Sequence, residues 1–179
     1  PLPGIYLDVV ALDDPKRVLP PGDVGEIRAF GANVTRGYLN REDETRASFS
    51  DGGFLTGDIG YMDEDGFFFI VDRKKDMIIS GGYNVYPQMI EQAIYEHPDV
   101  EEVLVIGIPD DYRGEAAKAF VKLCDGAPVL TLEALSVFLE GRLGRHEMPK
   151  ALEIRSALPR TSVGKLSKLE LKQEEAARA

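Results

Sequence analysis

Three short segments of this 179-residue chain combine residue types that could bind a ligand or stabilise charge. Thr56-Gly57-Asp58 places a carboxylate after a glycine, where it can accept two hydrogen bonds from vicinal hydroxyls, although Gly-Asp is more commonly plain turn chemistry. Asp72-Arg73-Lys74-Lys75-Asp76 leads into Ser80-Gly81-Gly82-Tyr83-Asn84. A charge-rich stretch of this kind is ordinarily a solvated linker, while paired glycines serve either a tight turn or the close approach of a ligand. Pro159-Arg160-Thr161-Ser162-Val163-Gly164-Lys165 ends in Gly-Lys, but a proline at 159 stands where a P-loop needs its first glycine, so this is not that motif.

Secondary-structure elements must position these segments. In the first half, 5–12 and 26–30 read as strands separated by the turn-rich Leu19-Pro20-Pro21-Gly22-Asp23, and a further strand pair flanks Asp63-Glu64-Asp65-Gly66. That acidic cluster lacks the ligand spacing of a calcium loop and reads as a hairpin turn. In the second half, 77–80 reads as a strand and 87–96 as a helix with Met89, Ile90, Ala93 and Ile94 on one face. Residues 100–108 then form a buried strand with 118–123 as its partner. Thr131 caps a helix striped by Leu132, Leu135, Phe138 and Leu139, and a short strand follows at 152–155. Ser167-Lys168-Leu169-Glu170 has the pattern of a capping box, which sets Lys165 just ahead of a helix N-terminus.

Charge and composition narrow the function classes. With 31 acids, 21 bases and a net charge of -10, the surface as a whole repels nucleic acid and anionic membrane. The longest apolar runs, 67–71 and 103–108, fall far short of the roughly 20 residues that span a bilayer. With no signal peptide at the start, a cytoplasmic location is expected. The lone cysteine, Cys124, reads as a core residue beside Leu123, and His97 and His146 lie too far apart in sequence for a zinc site, so no metal site is expected. Residues 1–72 carry 14 acids and 6 bases and residues 73–179 carry 17 and 15, a contrast that suggests two domains.

Order and spacing join the motifs. Val34-Thr35-Arg36-Gly37-Tyr38-Leu39-Asn40, Gly53-Phe54-Leu55-Thr56-Gly57-Asp58, Ile70-Val71-Asp72-Arg73-Lys74-Lys75-Asp76-Met77-Ile78 and Leu158-Pro159-Arg160-Thr161-Ser162-Val163-Gly164-Lys165 together resemble the adenylate-forming superfamily. The wording from Asp72 to Pro87 looks most like its fatty-acyl-CoA ligase branch. The resemblance implies an α+β fold in which 1–72 is the β-rich terminal piece of a large adenylating domain and 73–179 a small mobile lid. It implies ATP, Mg2+ and CoA as cofactors and cosubstrates, and activation of a carboxylic acid as an acyl-adenylate before transfer to CoA.

By the same resemblance, Asp58 binds the ribose hydroxyls and Arg73 contacts the nucleotide near the ribose. Lys165 is the adenylation lysine, Lys75 the hinge between two working orientations, and Gly81, Gly82 and Tyr83 line the tunnel for the pantetheine arm. Asn84 stands where some relatives carry a phosphate-contacting arginine, and Ile79 replaces the lysine of luciferases. The phosphate loop, metal-binding glutamate and acyl pocket of the superfamily lie upstream of these motifs, in an N-terminal domain this chain would need as its partner. The 179 residues alone are therefore expected to be inactive. The rival expectation is a noncatalytic module that binds a nucleotide, CoA or a partner enzyme.

Overall fold

The computed structural model describes residues 3–178. Two compact units make up the chain, the first ending at Lys75 and the second beginning at Asp76. Each has its own sheet, and the architecture is α+β.

The first unit is an antiparallel sheet built around one long strand. β1 (Ile5–Val10) pairs with β2 (Gly25–Gly31), and β2 pairs with β4 (Gly53–Met62). The two-residue β3 (Phe49–Ser50) and β5 (Phe68–Arg73) take opposite ends of the other edge of β4. A short helix, α1 (Glu42–Ala47), precedes β3. The Asp63–Gly66 turn closes as its sequence suggests: Asp63 Oδ1 accepts the Phe67 N–H at 2.8 Å, and Gly66 takes a φ of 84°. Between β1 and β2 the buried Arg28 forks onto both carboxylate oxygens of Asp8, at 3.0 and 2.7 Å.

The second unit wraps helices around both faces of a five-stranded sheet. A 3-10 turn, Lys74–Asp76, leads to the hairpin of β6 (Ile78–Ser80) and β7 (Tyr83–Val85). After α2 (Pro87–Tyr95) come the long antiparallel strands β8 (Val100–Asp110) and β9 (Gly114–Leu123), α3 (Leu132–Leu139), β10 (Ala151–Ile154) and α4 (Lys168–Ala176). β10 runs parallel to β9.

Alternation along β8 sends Val103 and Val105 to one face, where they meet Ile90 and Ile94 of α2 and Leu135 and Leu139 of α3. Leu104 and Ile106 go to the other face with Phe120, Leu158 and Leu171 of α4. Cover on both faces explains a continuous apolar run in an antiparallel strand. Each of these fully buried side chains contributes about 1.5–3 kcal/mol relative to exposure.

Helix starts follow local chemistry. Pro87 occupies the first turn of α2, where its missing N–H costs nothing, and Thr131 Oγ1 accepts the Ala134 N–H at 3.2 Å to cap α3. Ser167 sits at the N-cap of α4 without a side-chain capping bond, which corrects the capping-box expectation. Ion pairs from Lys168 to Glu91 and from Lys172 to Asp76, at 2.8 and 2.6 Å, hold that helix instead.

Cys124 is likewise not core. β9 stops at Leu123, and a turn with Gly126 at φ 78° carries the thiol into solvent. Met89 is 42% exposed, so the α2 stripe narrows to Ile90, Ala93 and Ile94. Among the described residues no helix is long and apolar enough to cross a membrane.

Candidate functional site

Asp58 and Arg73 meet in the first unit. They are register partners on β4 and β5, and Arg73 Nε lies 2.6 Å from Asp58 Oδ1. The approach is a charge pairing off the hydrogen-bonding direction, since that buried oxygen makes no hydrogen bond among the described residues. The paired Asp58 oxygen is thus buried against the Arg73 guanidinium.

A bulge aims Asp58. Between the pairs Glu26↔Ile59 and Arg28↔Leu55, β2 advances two residues while β4 advances four, and Gly57 absorbs the kink at φ 74°. Thr56 Oγ1 fixes the bulge by donating to the Ile27 carbonyl at 2.7 Å and accepting the Asp58 N–H at 3.1 Å. Glu26, only 3% exposed, accepts the Gly57 N–H at 3.1 Å and Lys74 Nζ at 2.7 Å. It thus braces the residue before Asp58 and the residue after Arg73. Sequence reading missed Glu26; its one signal was an acid at the start of a strand with no turn to serve.

Lys75 is the last residue of the first unit and lies within the 3-10 turn. In the second unit, Gly81 and Gly82 take φ of 59° and 84° as the two central residues of the β6–β7 hairpin, with Ser80 opposite Tyr83. Positive φ at both positions is the geometry of a type I′ turn, so the hairpin alone demands glycine. The space above both Cα atoms is open, and a Cβ at either would meet nothing within 4 Å. Tyr83 is exposed and stacks on His146 with centroids 4.7 Å apart.

Lys165 closes a narrow loop pinned on both sides. The Thr161 N–H donates to the Lys165 carbonyl at 2.7 Å, and the Ser167 N–H donates to the Pro159 carbonyl at 2.9 Å. Arg160 and Leu166 form an antiparallel bridge between these bonds. Arg160 also donates to the Gly164 carbonyl at 2.7 Å and pairs with Glu102 of β8, which ties the loop to the sheet. The Lys165 side chain is exposed and has no ion pair among the described residues.

Beyond the loop, α4 is clamped by charge. Lys118 bridges Glu153 and Glu175, each at 2.9 Å, and Arg155 reaches Glu153 and Glu174 at 2.8 and 2.5 Å. Burial pushes the Glu153 carboxyl up, but hydrogen bonds from Lys118, Arg155 and Arg178 outweigh it and hold the group down at about 2. A carboxylate below its ordinary value contributes stability that is present above about pH 4.5 and is lost as pH falls toward 2. Glu153→Gln is expected to cost about 1–2 kcal/mol at pH 7 after solvent screening, with the deficit shrinking across that window. Denaturant unfolding at a series of pH values checks this; a deficit independent of pH would exclude the network.

Comparisons with known proteins place the chain as a whole. Residues 89–165 match the family described as AMP-binding enzyme C-terminal domain. The long-chain-fatty-acid–CoA ligase of Bacillus subtilis (strain 168) is 52% identical over 155 residues, covering 87% of this chain and 28% of that protein. The chain belongs to the adenylate-forming enzymes. Feruloyl-CoA synthase of an Amycolatopsis species is 41% identical over 96% of this chain and 35% of its own length. Among solved adenylate-forming enzymes, ATP-bound MatB from Rhodopseudomonas palustris overlays with a TM-score of 0.90 at 38% identity, over 97% of this chain and 34% of that one. Apo MatB overlays the same share of this chain with a TM-score of 0.69. The chain thus spans about a third of the length of the adenylate-forming relatives it matches.

Proposed function

We propose that this chain is the C-terminal part of an ATP-dependent acyl-CoA ligase whose acid is a fatty acid. The observation that carries the reading is Lys165: an exposed lysine without an ion pair among the described residues, at the end of a glycine loop that is fastened on both sides, in a chain of net charge -10. In the first step a carboxylate oxygen bonds to the α-phosphorus of ATP and pyrophosphate leaves. Lys165 faces the negative charge that builds on the reacting oxygens. Asp58 accepts the ribose hydroxyls, and Arg73, paired with it at 2.6 Å, holds the nucleotide beside it.

In the second step the CoA sulfur bonds to the acyl carbon and AMP leaves. Gly81, Gly82 and Tyr83 offer the open hairpin along which the pantetheine arm would pass. Residues up to about 72 belong to the large adenylating domain, and the rest act as a lid that swings about Lys75.

Among the described residues no three or more His, Cys, Asp or Glu side chains are grouped to hold a metal ion, so no step is assigned here through Mg2+. The fatty acid rests on the identity to the Bacillus subtilis ligase, since relatives at 41% and 46% identity are named for ferulate and 2-succinylbenzoate. The test is exchange of labelled pyrophosphate into ATP by a full-length protein carrying this sequence, with a panel of carboxylic acids. Exchange that requires a long-chain fatty acid is the expected result, and exchange driven only by aromatic acids would reject that substrate. The isolated 179 residues should give no exchange.

A further inference from the structure

The chain is fastened into a sheet on each side of the boundary between the units. β5 ends at Arg73, held in register opposite Asp58, and the preceding Asp72 is buried. β6 begins at Ile78, buried in the core of the second unit. Residues 74–77 connect the two sheets, and a swing of the lid has to be taken up there.

Charge pins this connection from both ends. Lys74 Nζ lies 2.7 Å from Glu26 Oε2, and Glu26 Oε1 accepts the Gly57 N–H at 3.1 Å, so Lys74 is tied to the bulge of β4 in the first unit. Asp76 Oδ1 lies 2.6 Å from Lys172 Nζ on α4 in the second unit, across 96 residues of sequence. The far end of that tie is firm. Leu171, next to Lys172, is fully buried in a cluster with Leu104, Ile106 and Phe120 of the sheet. One turn earlier, Lys168 meets Glu91 at 2.8 Å, and the same Glu91 oxygen accepts the Val105 N–H of β8 at 2.7 Å. Asp76 is thus anchored on one side through α4 and on the other through β6.

Each ion pair lies within one unit, so neither has to break when the lid turns. The boundary between Lys75 and Asp76 falls inside the bracket they form. A residue offers only two soft backbone torsions, and fixing both neighbours concentrates a rotation in the φ and ψ of Lys75. We propose that Asp76 and Lys172 are positioning residues, whose ion pair holds the second-unit flank of the hinge to α4, opposite the Glu26 and Lys74 pair, and so confines the turn of the lid to Lys75. The inference rests on the lid reading and adds what limits the movement to one residue. The Asp76 pair is partly exposed, and pairs of that kind shift an equilibrium by no more than about fivefold, so it biases where the chain turns without locking it.

The test is CoA transfer from supplied acyl-adenylate by the full-length protein, comparing Lys75→Pro with Lys75→Pro plus Lys172→Met. With Lys75 stiffened, releasing Asp76 lets the next residue turn, and transfer should rise about threefold over Lys75→Pro alone. Asp76→Asn frees the same pair from the other end and should give a similar recovery. Lys172→Arg keeps the charge and should leave Lys75→Pro slow. With Lys75 intact, Lys172→Met should not speed transfer. Damage to the unit would lower transfer, so a gain confined to the proline background separates positioning from a merely structural role. The proposal is overturned if neither Lys172→Met nor Asp76→Asn relieves Lys75→Pro, or if Lys172→Met speeds transfer equally with Lys75 intact. Normal transfer in Lys75→Pro by itself would reject the hinge reading and the proposal with it, while pyrophosphate exchange reports on the ligase reading independently.

Discussion

Lys165→Ala in the full-length ligase should lower adenylate formation by about 100- to 1000-fold, the usual loss when one preorganised charge is removed from a site of developing negative charge. Thioester formation from supplied acyl-adenylate should persist near its normal rate. The loop geometry makes the comparison clean. Backbone bonds at 2.7 and 2.9 Å and the Arg160 contacts set the loop's shape, while the lysine side chain holds nothing in place among the described residues. Alanine therefore removes a charge without releasing the loop. The two half-reactions are measured separately, by pyrophosphate exchange and by CoA consumption. Equal loss in both would show that Lys165 supports the unit's structure instead of adenylation.

Lys75→Pro should do the reverse, sparing adenylation and slowing CoA transfer by more than about tenfold. Proline fixes φ near -65°, which suits the 3-10 turn in which Lys75 sits and prevents it from leaving that conformation. Lys75→Ala is the control, since it removes the ammonium and whatever it contacts but leaves the backbone free to turn. Transfer should be normal in alanine and impaired in proline. Similar impairment in both variants would assign the effect to the side chain and remove Lys75 from the hinge role.

Much of the fold was legible because its elements carry local punctuation. Pro87 and Thr131 mark helix starts, Asp63–Gly66 marks a hairpin, and the apolar runs of β8 and β9 announce buried strands. The two-residue β3 is too short to show a period, and β7 is half-exposed and centred on Asn84. Ser167 had the right neighbours for a cap but lost to ion pairs made by Lys168 and Lys172, which depend on where α4 lands.

For the site, motif order pointed to Asp58, Arg73 and Lys165, whereas their supports were hidden. Glu26 braces residues 31 and 48 positions away in sequence, and its place at the start of a strand is its one local sign.

The tie between Arg160 and Glu102 spans 58 residues, and β10 joins β9 only by a parallel pairing that leaves and re-enters the sheet. Contacts of such long sequence separation close large loops, so they form late and slowly relative to the β8–β9 hairpin. The loop that carries Lys165 is thus fastened to the sheet at the end of folding. A ribosome must release nearly the whole second unit before that lysine is presented, and a chain stalled or cut within α3 would already hold its central hairpin yet lack its reactive amine.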